Sequence, residues 1–440
     1  MSPAIDVAEY ASKLLSKNAD DHVITVAQDN KAQLKFSNNK VSTTQRWLRT
    51  EIEVFASVKN RTVMTQIQAN RKSAEDAVAK ILKVAKNLPE NKEYSGIANG
   101  PFKYSKTENF DSSIANLDIV DITKESINLA IENGAKRTSG LMETSIESLH
   151  LITSRGVQAK EQFSGAYFSI RALCDNNGSG HSVTASSVKE KLNFRRAATE
   201  AALNAKQSQN PKSIIEGKYD IILMHMPSAN LMDNVAGSAS IFNVESGLSF
   251  LAKNLGKKVA SPALNLVDDP TISGSISSRK FDQEGVPTQR NEIIKKGILK
   301  TYLHNTSTAK KHKTKTTANA GLISPSPINP IVESGDHKLD EMISKIKKGL
   351  LITNVWYTRF QNHTTGDFST IPRDAAYLIE NGKIKNAVKA IRISDNMINM
   401  LKNCEAVGND QRETMTWEIE TPITTPELLI RNVNISKSVE

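Results

Sequence analysis

Cysteine is scarce: Cys174 and Cys404 are the only two in 440 residues, and neither belongs to a C-x-x-C pair. That excludes a disulfide framework and a cysteine-rich zinc site, and it fits a reducing compartment. Long apolar runs are missing too. No stretch approaches the roughly 18 residues a membrane helix needs, and the opening "MSPAIDVAEYASKLLSKNADDH" lacks the order of a secretory leader, so a cytoplasmic protein with no membrane partner is expected. Aromatic residues make up only 5% of the chain, too few to interleave with basic residues as a stacking surface. Among the eight histidines no two stand at i,i+4 and none is followed by glutamate, which removes the H-E-x-x-H zinc helix. No G-x-S-x-G elbow, dinucleotide fingerprint or P-loop occurs; the Gly-x-Gly of "DNNGSGHSVTASS" lacks the rest of either phosphate motif.

Basic charge, by contrast, is in excess. The net charge of +10 and the run "KKHKTKT", Lys310 to Thr316, raise the question of nucleic acid. Elsewhere the lysines are interspersed with acids, and no helix-turn-helix, RNP or zinc-finger pattern appears, so no nucleic-acid partner is expected. At this length two or three domains are the starting expectation.

The apolar residues fall into regular periods. A helical stripe over residues 5–17 gives way to alternation in "HVITVAQ", "AQLKFSNNKVST" and "RTEIEVFASVKNRTVMTQIQ", which predicts an antiparallel meander. A helix capped by Ser73 and ended by Pro89 should cover it, and another is predicted around 126–133. Further alternating segments and the helical "SSVKEKLNFRRAATEAALNAKQS" lead to the polar connector "QNPKSIIEGK". The boundaries that follow are 1–208 for an N-terminal domain and 217–440 for a C-terminal one.

Beyond the connector, "YDIILM" reads as a buried strand. Pro227 and Ser228 suit a helix start, with small-residue helix running on toward Leu255. Hairpins are signalled by "RNEIIKKGILKTYL" and by "AAYLIENGKIKNAVKAIRI", the second turning at Asn381-Gly382. A helix "SDNMINMLKNC", capped by Ser394 or Asp395, precedes final strands "TMTWEIET" and "ELLIRNVNIS". Strands in runs rather than singly alternating with helices give an α+β fold of mostly antiparallel sheets with covering helices.

Two stretches carry candidate chemistry. In "LVDDPTISGSISSRKFDQEGVPTQR", Asp268, Asp269, Asp282 and Glu284 form a carboxylate cluster if a turn joins the ends, although Asp-Asp-Pro and Glu-Gly-Val-Pro are also turn chemistry in which acids bond nearby backbone N–H groups. In "ANLMDNVAGSAS" an acid, an amide and small residues share a helix.

The segment Leu255 to Lys311, with V-D-D-P, F-D-x-E-G-V-P-T and G-x-L-K-x-Y-L-H, closely resembles the TldD/PmbA (TldD/TldE) metallopeptidase family. Thr364 to Asp410, opening on T-G-D-F-S and passing into an I-E-N-G hairpin, resembles its PmbA/TldE branch. In the TldD branch a helix carries H-E-x-x-x-H, and a later cysteine completes a zinc site. The resemblance places Asp233 at the first histidine, Asn234 at the glutamate and Ser238 at the second histidine. Carboxylate, amide and hydroxyl replace poorly two imidazoles around zinc, and Asn234 has no basic group to take a proton from water. No cysteine follows "VGND".

The resemblance thus implies a subunit without catalytic residues and without a cofactor of its own. Zinc is then expected in a TldD-like partner, and peptide is the substrate of a homo- or heteromeric complex, a dimer or larger. Asp268, Asp269, Asp282, Glu284, Thr365, Gly366 and Asp367 are its candidate peptide contacts. One alternative is an independent metallopeptidase using His225 with Asp233; another is a basic binding protein with no peptidase role.

Overall fold

The computed structural model describes residues 3–105 and 109–438. In the N-terminal region the order is α1 (Pro3–Leu15), β1 (Asp21–Ser37), β2 (Lys40–Val58), β3 (Arg61–Ile67), α2 (Arg71–Ala85), α3 (Ile119–Glu132), β4 (Arg137–Thr153), β5 (Gln158–Leu173), β6 (Ser179–Ser186) and α4 (Phe194–Gln207). The strands form one antiparallel sheet in the order β3-β2-β1-β4-β5-β6. Its meander follows from its turns: Asn38-Asn39 and Lys59-Asn60 both hold positive φ, the twist that suits two-residue hairpins. Two apolar clusters cover one another's flanks of this sheet, α1 and α2 packing on one (Ile24, Val54, Ile81) and α3 and α4 on the other (Phe36, Phe168, Ala201). The Gly-x-Gly of the β5–β6 hairpin serves that packing. A Cβ on Gly180 would stand 2.2 Å from the Ala201 carbonyl oxygen of α4, so glycine allows helix and hairpin to touch.

The connector leads into β7 (Gly217–Leu223), α5 (His225–Ser238), α6 (Ile241–Glu245), β8 (Leu266–Asp268), β9 (Asn291–Lys295), β10 (Ile298–Leu299), α7 (Thr306–Lys311), β11 (Pro330–Val332), α8 (Leu339–Ser344), β12 (Lys348–Ile352) and β13 (Val355–Asn362). There follow β14 (Asp367–Pro372), β15 (Ala376–Glu380), β16 (Lys383–Ala387), β17 (Ile391–Asn396), α9 (Met397–Lys402), β18 (Cys404–Val407), β19 (Arg412–Thr414), β20 (Ile423–Thr425) and β21 (Leu428–Lys437). A large sheet runs β13-β14-β17-β21-β7-β12-β15-β16, with β18 on β21, and a smaller one runs β10-β9-β8-β11-β20-β19. Among the described strands only β7–β12 and β11–β20 pair in parallel. The α+β, mostly antiparallel architecture is therefore as expected.

Both predicted hairpins of this region form, turning on Lys296-Gly297 and Asn381-Gly382 with positive φ at each residue. Several local expectations are corrected. Asn70, not Ser73, caps α2 by accepting from the Ser73 N–H, while the Ser73 hydroxyl accepts from Gln68 N–H; the two side chains divide the capping work. Asn396 rather than Ser394 or Asp395 caps α9, because β17 continues through those two residues. The helix predicted at 126–133 begins at Ile119, where Asp118 accepts from two N–H groups. Helix α5 begins at His225, leaving Pro227 in the first turn, where its missing N–H has no intrahelical partner to lose. It does not run to Leu255 but stops at Ser238. "TMTWEIET" is not a strand: only Thr414 belongs to β19, and the chain then turns until β20. No helix among the described residues is long and apolar enough to cross a membrane.

Candidate functional site

Helix α5 is buried on almost every side, twelve of its fourteen residues being buried, because it lies between the large sheet and the small one. Leu231, Met232, Val235 and Ala236 fill the core. Its remaining face borders a cleft of about 590 Å³. Asn230, Asp233, Asn234, Gly237 and Ser238 form the floor; Ser324 to Pro327 and Thr358 to Phe360 with His363 form walls; Glu418, Glu420 and Thr421 close the side. The aromatic wall is rigid: Phe360 stacks on Phe250 and on His363 and packs against Phe368.

The polar groups on the floor are occupied locally. Asp233 accepts from the N–H of Glu420 at 2.9 Å and of Thr421 at 3.3 Å, holding the 415–421 turn against the helix. Burial raises its carboxyl to about 7, against the opposing pull of those two N–H groups. Asn234 donates to the Asn230 carbonyl at 2.8 Å, and the Ser238 hydroxyl donates to the Asn234 carbonyl at 2.8 Å. A Cβ on Gly237 would meet nothing within 4 Å, so the space beside it belongs to the cleft. No imidazole or thiolate stands beside these three side chains in the cleft lining except His363, which is stacked on Phe360 and exposed. As placed, the floor offers hydrogen bonds, shape and one carboxyl, Asp233, that burial holds near neutrality.

The other seven candidates stand outside that lining. Asp268 is fully buried and accepts from Asn319 Nδ2 at 2.6 Å and from the N–H groups of Ile328 and Asn329 at 2.9 and 2.7 Å. Asp282 accepts from the N–H groups of Glu284, Val286 and Ala320, each at 2.9 Å. Asp269 binds the Thr271 N–H and hydroxyl and lies 3.6 Å from Arg290. Glu284 is buried, and burial together with Asp282 raises its carboxyl above the usual range. The sequence brings Asp282 and Glu284 together, while Asp268 and Asp269 organise a separate stretch of the same loop region. That region lies on the N-terminal sheet: Glu161 accepts from Lys280 N–H, Ser278 O accepts from Asn109, and the Arg279 guanidinium sits 3.9 Å over the Phe163 ring. Thr365, Gly366 and Asp367 make the β13–β14 turn. Asp367 accepts from the Thr365 hydroxyl and from Asn396, and Gly366, at φ +84°, presses on Phe250, which backs the cleft's aromatic wall.

His225, at the other end of α5, has partners of its own. Its Nε2 is 2.9 Å from the Asp410 carbonyl oxygen, 3.5 Å from Asp410 Oδ2 and 3.6 Å from Glu427 Oε1. It shares no partner with Asp233, so the alternative of one metal held by both is not built here. Asp410 and Glu427 were not foreseen; Asp410 falls at the end of the "VGND" stretch, but nothing in the spacing joins it to a histidine 185 residues away.

Fold and cleft define the class: an α+β protein of two regions whose cleft is floored by a buried helix. Residues 216–437 match the model of the PmbA/TldA metallopeptidase C-terminal domain, and the chain belongs to the PmbA/TldD family. A metalloprotease of Methanocaldococcus jannaschii is 32% identical over 232 residues, 50% of each chain. The PmbA homolog of Haemophilus influenzae, also called a metalloprotease, is 31% identical over 228 residues, 52% of this chain and 48% of its own. The chain thus spans about half the length of these relatives. An uncharacterized M. jannaschii protein is 30% identical over 319 residues, covering 69% of this chain and 73% of its own. The crystal structure of TldE from Thermococcus kodakarensis superposes with a TM-score of 0.87 at 20% identity, covering 99% of this chain and 100% of that one. One from Thermotoga maritima, titled a putative modulator of a DNA gyrase, gives 0.86 at 23% identity over 98% and 100%. These likenesses show the fold.

Proposed function

We propose that this chain is a non-catalytic, TldE-like subunit that holds peptide in the α5 cleft while a zinc-bearing, TldD-like partner performs hydrolysis. The observation that carries this reading is the state of the floor. The three side chains at the family's zinc positions, Asp233, Asn234 and Ser238, are bonded to the backbone of their own helix or of the 415–421 turn. A zinc peptidase needs imidazole or thiolate donors and a group able to take a proton from water. An amide that donates to a carbonyl is neither.

The cleft suits an extended, polar chain of varied sequence. Its floor presents amides and hydroxyls, its walls present Phe360 and Phe242, and Arg359 and Glu418 form an ion pair at its side. Peptide contacts are assigned to these wall residues, with the Asp268 to Glu284 loops shaping the region behind. The name metalloprotease carried by the relatives supports a proteolytic complex, and the cytoplasm is its proposed site. The test is co-expression with a TldD-like homologue followed by size exclusion and a peptide digest. Co-elution with turnover that survives Asn234→Ala supports the reading; abolition of turnover by Asn234→Ala assigns catalysis to this chain and overturns it.

A further inference from the structure

We infer that His225, Asp410 and Glu427 form a binding site for one divalent cation of the zinc or manganese class. The site lies at the N-terminal end of α5 and is separate from the cleft. The three ligand atoms all lie within 4.8 Å of one another. Donors each about 2.0–2.2 Å from a tetrahedral ion stand roughly 3.4 Å apart, and the two nitrogen-to-oxygen separations here are 3.5 and 3.6 Å. The Asp410 carbonyl oxygen lies 2.9 Å from the same Nε2, where only an N–H can meet it, so without an ion this nitrogen donates to the carbonyl and an ion takes the place of that proton.

Glu427 is the independent indication. Its side chain is only 5% exposed and its Oε1 faces the imidazole at 3.6 Å. A buried carboxylate beside a neutral imidazole is costly unless a cation meets it. A Cβ on residue 408 would fall 2.3 Å from Glu427 Oε2, so Gly408 leaves room for the carboxylate where it stands.

The surroundings are built as an outer shell. Arg412 forks onto Asp410 Oδ2 at 2.9 and 2.6 Å and reaches Glu200 of α4 at 2.7 Å, so the ligating carboxylate is itself oriented by hydrogen bonds. Arg196 and Arg412 face three carboxylates, Glu200, Asp410 and Glu427, which leaves one negative charge in excess when the imidazole is neutral. The Asp410 side chain is 49% exposed and gives an ion its way in. One imidazole with oxygen donors and no thiolate excludes a soft ion and suits zinc or manganese. Since Arg412 ties this cluster to α4, the ion would lock the C-terminal region onto the N-terminal one. This inference does not rest on the proposed role of the cleft.

The full-length chain, stripped with a chelator, is titrated calorimetrically with Zn²⁺ and with Mn²⁺. One equivalent of either ion should bind and raise the thermal midpoint. Glu427→Gln should weaken binding at least about tenfold while keeping the circular dichroism of the stripped wild type, and Asp233→Asn should leave affinity unchanged. Absence of saturable binding by both ions, unchanged affinity in Glu427→Gln, or loss of binding in Asp233→Asn would each overturn the site. If Glu427→Gln does not fold, X-ray absorption of the loaded wild type decides: one imidazole among oxygen donors supports the assignment, and a thiolate or several imidazoles contradicts it.

Discussion

The two ends of α5 solve the problem of buried polarity in opposite ways. At the C-terminal end Asp233, Asn234 and Ser238 are absorbed by backbone groups, and what remains is a cleft floor with hydrogen-bonding character. At the N-terminal end His225, Asp410 and Glu427 face one another, with outer partners arranged around them. The difference teaches that polar side chains taken up by nearby backbone act as local fasteners, and that polar residues are informative when they point at each other. The loop acids extend the first pattern, since Asp268 and Asp282 each take three donors and offer nothing to the cleft.

The largest expected effect breaks the fastener pattern where it is most complete. Asp268→Ala leaves the Ile328 and Asn329 N–H groups without an acceptor and takes from Asn319 Nδ2 one of its two, the other being the Ser326 carbonyl, and should cost on the order of 3–5 kcal/mol in urea unfolding. A loss under about 1 kcal/mol would show that water or relaxation replaces the carboxylate.

Next comes Asp233. Its folded pKa, raised by burial to about 7, exceeds the unfolded value near 3.8. Between those values the folded state holds the proton more tightly, so stability falls as pH rises from about 4 to 7 and is flat again above. Asp233→Asn should remove that part of the slope, about 2–4 kcal/mol at full ionisation. An unchanged pH profile of the thermal midpoint would place Asp233 in contact with solvent.

Two smaller effects sharpen the boundary of the cleft. Gly237→Phe should fold normally, since open space surrounds that position, and should lower turnover of the mixed complex by filling the cleft. Gly237→Ala should stabilise the helix by up to about 1 kcal/mol and leave turnover nearly unchanged. Failure of Gly237→Phe to fold would mean that the space beside α5 is core rather than cleft.

Much of the fold was legible because local chemistry and tertiary packing agree. The Asn-Asn, Lys-Gly and Asn-Gly turns sit between alternating segments, and each adopts the positive φ its composition suits. Helix limits were less so. Asn70 and Asn396 compete with nearby Ser73, Ser394 and Asp395 for the same capping role, and only the path of the preceding chain decides between them. "TMTWEIET" alternates like a strand but is pulled into a turn by Asp233, a partner nearly two hundred residues earlier that no window could contain. For the same reason the cluster of His225, Asp410 and Glu427, assembled from three distant segments, left no trace in spacing.

The most direct measurement of the central claim is a mass-spectrometric digest of an unfolded peptide incubated with this chain alone, with the zinc-bearing partner alone, and with both. The account predicts intact peptide with this chain alone, and cleavage by the mixture that exceeds what the partner achieves unaided. Cleavage by this chain alone, or a partner equally active without it, would contradict the non-catalytic role assigned to the α5 cleft.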